Sequence, residues 1–353
     1  MRKFILIASM LVIVLSIVGC GNGATDNGTE APTGNETANG NEAPDEPAGL
    51  SPLEMTNVIT TEWSNSGKQF AMAGVADRPA TDCASCHDGF GFSVKNEIDF
   101  GTQWNPGGAN DDMDMFPEHI VGIDCQACHT GAGAEYMASG TVDLPYATID
   151  NAGTGASCMF CHSGRRNTPA VFEEYAAGDA TRFSYPHYGP AAVMTGLGGM
   201  EYPDMEYKST GAHANLQDSC VSCHMPETED GYKDHSFTMD LAYIDQACGT
   251  CHVGIEDYNL NGFVDEIQAM LDTLKEAIFA ETGAVDLYSS RGQLVFEGPD
   301  GEPLSTDEVS LEAFVAGYSY YEVKYEGSYG IHNPAYARSL LQNSYKALTG
   351  EDM

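Results

Sequence analysis

Apolar residues are spread unevenly along this 353-residue chain. The first concentration comes at the start, where Ile5 to Val18 form a nearly unbroken apolar run behind Arg2 and Lys3. That run is shorter than the roughly 20 residues of a spanning helix. With its positive start it predicts a secretory signal over residues 1–19. From Gly21 to Gly49 the pattern inverts: Gly, Asn, Thr, Glu and Pro dominate and large apolar side chains nearly vanish. Such a stretch cannot bury enough surface to offset the entropy of ordering, so residues 20–50 are expected to form a flexible tether. Residues 51–353 then make the folded domain. Up to about residue 260, Gly and Pro recur and periodicity is weak, which predicts short helices and irregular loops. Beyond it, Val264, Ile267, Leu271, Leu274 and Ile278 fall at helical spacing. A second helix is predicted from Asn333-Pro334, as N-cap and first residue, to about Leu348, with Gly350 past its end. Between the two, residues 283–325 hold β-like runs such as Gln293-Leu294-Val295-Phe296, which predict an irregular insert or a small hairpin. The expected fold class is mainly α with extensive irregular loops and long C-terminal helices.

Charge narrows the partners. There are 52 acidic and 15 basic residues, a formal net charge of −37. Nucleic acid is excluded, because it is bound by clustered Lys and Arg. Basic proteins, cationic substrates or positively charged surfaces suit such a field, although solubility alone would also account for it.

The cysteines carry the chemistry. Ten of the 11 fall in Cys-x-x-Cys-His motifs: Cys83 to His87, Cys125 to His129, Cys158 to His162, Cys220 to His224 and Cys248 to His252. This is the spacing of covalent haem attachment. Cys83, Cys86, Cys125, Cys128, Cys158, Cys161, Cys220, Cys223, Cys248 and Cys251 would form thioethers to the porphyrin. His87, His129, His162, His224 and His252 would lie under the irons as proximal ligands. Zinc ribbons also pair such motifs but rarely place His after each one. Five haems on so short a chain imply that the stacked haems form much of the core, and that the haem-free chain is largely unfolded. The remaining cysteine, Cys20, ends Ile17-Val18-Gly19-Cys20, which resembles a bacterial lipobox in which that cysteine is lipidated. Gly21 follows it where an inner-membrane lipoprotein would carry Asp, so the outer membrane or cell surface is favoured.

Of the ten histidines, five lie outside the motifs: His119, His187, His213, His235 and His332. One spare imidazole per haem predicts distal ligands and six-coordinate irons, the arrangement of electron carriers. Spacing does not assign a spare histidine to a particular haem.

From Tyr202 onward the chain resembles the pentahaem ammonia-forming cytochrome c nitrite reductases and their wider multihaem superfamily. The resemblance rests on Tyr202-Pro203-Asp204, Gly211-Ala212-His213, Cys220 to Pro226, Lys233-Asp234-His235, Cys248 to His252 and His332-Asn333-Pro334. It implies that His213, His235 and His332 are distal haem ligands. The catalytic features of that family are missing. Its lysine-ended motif is absent, Tyr202 stands where its active-site histidine would be, and Ser163-Gly164-Arg165 replaces its Glu-Tyr pair. Upstream, Gly67-Lys68-Gln69-Phe70-Ala71 resembles a family segment that carries a distal histidine, with Lys68 in that place. Lys68 is then either a solvated surface lysine or an amine ligand competing with His187 or His119.

One further motif precedes the first long helix. Asp257, Asn259, Asn261 and Asp265, with Gly262 between, resemble the first part of an EF-hand loop, with Gln268 where the bidentate Glu would stand. The readings are bound Ca2+ or an acidic turn that caps the helix. Three functions fit the sequence. The first is electron transfer by an anchored pentahaem cytochrome, with donor and acceptor cytochromes or extracellular minerals as partners. The second is a reductase of nitrite, hydroxylamine or a sulfur oxyanion, which requires an open iron. The third is a subunit of a haem filament.

Overall fold

The computed structural model describes residues 49–70, 85–96, 122–290 and 292–353. Helix α1 (Pro52–Asn65) opens it with a capping box: Ser51 Oγ accepts from the Glu54 amide, and the Glu54 carboxylate accepts from the Ser51 amide at 3.0 Å. No residue of α1 is buried. It is tied to the rest through Glu62, whose carboxylate accepts from the Tyr232 hydroxyl at 2.7 Å and the His235 amide at 3.0 Å.

Short helices follow: α2 (Gly89–Ser93), α3 (Gln126–His129), α4 (Gly131–Ser139), α5 (Ala156–Cys161), α6 (Thr168–Ala176), α7 (Pro190–Thr195), α8 (Gly211–Ala214) and α9 (Cys220–His224). A two-residue antiparallel ladder, β1 (Val142–Asp143) with β2 (Thr148–Ile149), lies between α4 and α5. Close approach replaces side-chain packing here. A Cβ on Gly133 would stand 1.9 Å from the Ala127 carbonyl oxygen, so only glycine lets α4 fold back over α3. The buried apolar cluster of this region is small: Val142, Leu144, Ala152, Ala156, Met159, Ala191 and Met194.

The C-terminal part is built differently. Helix α10 (Phe263–Thr282) buries Ile267, Met270, Leu271, Leu274 and Ile278, matching the expected spacing, and ends on left-handed Gly283. Strands β3 (Asp286–Ser290) and β4 (Gln293–Glu297) form the antiparallel hairpin. Helix α11 (Leu311–Tyr325) was not expected, since this stretch reads as part of an irregular insert. Every residue from Ala313 to Val323 is buried, because α10, the helix α12 (Pro334–Thr349), the hairpin and Tyr175 enclose it on all sides. A helix hydrophobic all round has no polar face to betray its period. Helix α12 starts at Asn333 and stops at Gly350, as the sequence predicts. The mainly α fold class holds, and among the described residues the strands amount to two short hairpins.

Candidate functional site

Each motif that is wholly described winds into one helical turn. Cys125 begins α3, α5 ends at Cys161 with His162 next, and α9 carries Cys220 to His224. The fifth motif begins in a π-type turn, Asp245–Gly249, a distortion found mostly at functional sites. On such a turn two cysteines three apart share a face, and the histidine at the fourth position follows them round. One turn thus presents two sulfurs and an imidazole to one flat partner.

The spare histidines face these imidazoles. His87 lies opposite His187 with ring centres 6.1 Å apart, and His129 opposite His235 at 6.4 Å. His224 lies opposite His332 and His252 opposite His213, both at 6.2 Å. Two imidazoles held trans to one metal through metal–nitrogen bonds of about 2.0 Å have ring centres roughly 6.3 Å apart. Ordinary ring contacts reach similar separations, but here every pair joins one motif histidine to one histidine outside the motifs. The other ring nitrogens are occupied as well. Nδ1 of His213 donates to the Ile331 carbonyl at 2.7 Å, Nδ1 of His235 to the Lys233 carbonyl at 2.5 Å, and Nδ1 of His224 to the Phe237 carbonyl at 3.4 Å. His332 uses Nδ1 on the buried Glu326 carboxylate, and His187 uses it on the Tyr185 hydroxyl. Nδ1 bonding fixes the tautomer and leaves Nε2 free to ligate. Burial and the nearby Arg165 take His187 down to about 4, and burial with His332 lowers His224, so both rings are neutral, the ligating form. These residues fit haem.

His162 is the exception. It is half-buried, its buried Nδ1 has no partner among the described residues, and its Nε2 lies 2.7 Å from Lys68 Nζ. Burial, with Lys68 beside it, pushes its pKa well below the usual histidine range. The solvated reading of Lys68 does not describe this side chain, whose tip is turned inward.

The motifs adjoin one another. The Cys86 and Cys161 sulfurs are within hydrogen-bond reach, joining the first motif to the third, and Cys158 meets Cys220, joining the third to the fourth. Cys223 lies 3.9 Å from the Ala247 carbonyl just before the fifth motif. Cys20, Cys83 and His119 lie outside the described residues.

Tyr202 does not approach these sites. It is buried in the C-terminal core with its ring edge-on to Phe172, while Met200 is fully buried there and Met194 packs in the smaller cluster. In the loop before α10, Asn259 accepts from the Val264 amide at 2.9 Å and donates to the Asp265 carboxylate at 2.9 Å, while Asp257 accepts from the Asn259 amide. Asn261 takes a left-handed conformation, φ 56°. This is the bonding of a helix-capping turn. Sequence reasoning missed the supporting partners Glu62, Tyr185, Glu326 and the Ser66 side chain that receives the Lys68 amide. None of them lies in a motif, and only folding brings them to the site.

Comparison with known proteins places these features. The chain is 24% identical over 241 residues to cytochrome c-552 of Parabacteroides distasonis, covering 65% of this chain and 43% of that protein. It is 26% identical over 247 residues to cytochrome c-552 of Desulfotalea psychrophila, covering 65% and 42%. The chain thus spans less than half the length of these relatives. Among solved structures, the outer cell wall cytochrome OcwA superimposes with a TM-score of 0.49 at 19% identity, over 82% of this chain and 50% of that one. The undecahaem cytochrome from the S-layer of Carboxydothermus ferrireducens gives 0.47 at 17%, over 81% and 41%. The cytochrome c552 family profile matches residues 43–351. The chain therefore belongs to the cytochrome c552 family, a haem c-binding multihaem cytochrome related to the nitrite reductases.

Proposed function

We propose that this chain is a pentahaem electron carrier, exported and lipid-anchored through Cys20, that works in respiratory or extracellular electron transfer. It would carry electrons between a quinol-linked donor and an acceptor beyond the membrane, either another cytochrome or a mineral. The observation that carries the reading is the facing imidazole opposite each of His87, His129, His224 and His252. Haem c bound at such sites supplies a one-electron couple with no iron position left for substrate. The chain's own residues hold both imidazoles of a pair in fixed orientation, through the Ile331, Lys233 and Phe237 carbonyls and the Glu326 carboxylate. Sulfur contacts between the first and third motifs and between the third and fourth support a continuous path rather than isolated centres. Among the described residues no helix is long and apolar enough to cross a membrane. Cys83 completes the attachment inventory on this reading, and the loop from Asp257 to Asp265 is taken as a helix cap that needs no Ca2+.

The test uses full-length purified protein. Mass spectrometry should find five covalent haems, dithionite should give the sharp absorbance of reduced low-spin cytochrome, and the oxidised form should bind cyanide only slowly. Turnover of nitrite or hydroxylamine, or rapid cyanide binding, would overturn the carrier reading in favour of the reductase.

A further inference from the structure

The third motif has no histidine facing it among the described residues. His187, His213, His235 and His332 each stand opposite another motif. What faces His162 is Lys68. We propose that Lys68 Nζ is the sixth ligand of the haem iron held by the third motif, opposite His162, so that this haem alone has amine–imidazole coordination and His119 is not an axial ligand. The inference rests on reading each motif as a haem site and extends that reading to the one site the histidine pairs leave open.

Three observations carry it. First, the atoms are aligned: Nζ is 2.7 Å from Nε2, the nitrogen a motif histidine uses for iron. Opposed nitrogens across a metal stand about 4 Å apart, so Nζ must withdraw by roughly 1.3 Å to admit iron, and a flexible four-carbon stem allows this. Second, the backbone that delivers Lys68 is fixed. Ser66 is buried, takes the Lys68 amide on its hydroxyl at 3.2 Å, and gives its own hydroxyl to the Trp63 carbonyl at 2.7 Å. Glu62, one turn earlier, binds the His235 amide, so one segment meets both the second and third sites. Third, the amine has no acidic partner among the described residues. In a chain with 52 acidic residues, no ion pair with a described carboxylate holds this amine, and it points at the His162 imidazole. The ring of Phe237 lies 5.6 Å from Nζ.

The position gives the assignment a consequence. The third motif touches both the first and the fourth through its cysteines. The haem with the unlike ligand is therefore the junction of the path, and its ligand comes from an N-terminal turn rather than from the body of the domain.

The experiment compares oxidised, fully loaded wild type with Lys68→Ala, Lys68→His and His119→Ala, by electron paramagnetic resonance and near-infrared magnetic circular dichroism, with covalent haem counted by mass. The wild type should be wholly low-spin and show an amine–imidazole charge-transfer band beside the bis-imidazole one. Lys68→Ala should turn about one fifth of the iron high-spin and open it to cyanide. Lys68→His should restore low spin while losing the amine band, and His119→Ala should change neither. The proposal is overturned if Lys68→Ala stays low-spin, if the amine band is absent from wild type or survives in Lys68→His, or if His119→Ala creates the high-spin iron. A haem count other than five would sink the pentahaem reading instead, and the spin change at Lys68 would still report on its own site. Should Lys68→Ala fail to fold, the band in Lys68→His decides.

Discussion

The region between residues 85 and 262 and the region after it reach order by different means. After residue 262, helices of 20, 15 and 16 residues bury Leu274, Ile278, Phe314 and Leu340 completely. Its core also takes in Tyr175, Phe183, Val193, Met200 and Tyr202 from the earlier region. Before it, among the described residues, helices rarely exceed one or two turns, the smaller apolar cluster has seven buried members, and imidazoles face each other across the width of a metal. A chain that buries its own side chains needs no guest. A chain whose interior is lined with paired imidazoles and sulfurs is completed by what it binds.

The largest test of this difference removes the haems. Blocking attachment should unfold the motif region outright, because binding free energy there is folding free energy. Residues 263–353 should keep protected amides, so hydrogen exchange on the apo chain should show slow exchange confined to α10, α11 and α12. Uniform protection, or uniform loss, would erase the distinction between the two regions.

The converse test strikes the bundle. Phe314 is fully buried and makes a stacked contact with Tyr175 at 4.3 Å. Phe314→Ala should cost about 3–5 kcal/mol in denaturant titrations while the haem spectrum stays unchanged until the unfolding transition. An altered spectrum in the folded variant would mean that the bundle shapes the haem sites directly.

The two regions also differed in how far the sequence revealed them. The motifs and helices α10 and α12 were legible because their signals are local: a fixed spacing, a period, a cap. Helix α11 was hidden because burial on every side removed the polar stripe that marks a helix. The ligand pairing was hidden for another reason. His87 meets His187, and His129 meets His235, across about a hundred residues of chain, so the partner is set by packing and not by spacing. Equal numbers of motif and spare histidines suggested one imidazole each, yet the third motif faces Lys68.

Asn333 sits on the seam and tests the join. It is fully buried, caps α12, accepts from the Thr210 amide at 2.7 Å, and donates to the Met194 carbonyl and to Ser209. His332 precedes it, and His213, bonded to the Ile331 carbonyl, leans on the same turn. Asn333→Ala strands these buried partners and should cost about 1–3 kcal/mol. Resonance should show the fourth and fifth haems shifted together, with the first and second unmoved. A shift in only one would show that Asn333 does not join the two sites.

The smallest effect is a matter of pH and sharpens the picture of the bundle as a core that tolerates one misfit. Glu322 lies wholly inside α11, and neither carboxylate oxygen has a hydrogen-bond partner among the described residues. Burial, with Glu326 and then Glu201 nearby, raises its pKa well above the usual carboxylate range. A carboxyl whose folded pKa is raised stabilises the fold only while it is protonated. Its contribution is whole below the unfolded pKa of about 4.3 and is lost as pH rises toward the folded value. Glu201, also raised by burial, acts in the same sense. Glu326 acts in the opposite one: burial would raise it, but His332, Ser328 and the Gly330 amide outweigh burial and hold it low. Each unit of displacement is worth about 1.4 kcal/mol. Glu322→Gln cannot ionise, so its stability relative to wild type should improve as pH rises through that window and the difference should level off above it. Parallel stability curves for the two proteins from acid to alkaline pH would show that the Glu322 carboxyl does not titrate differently on folding.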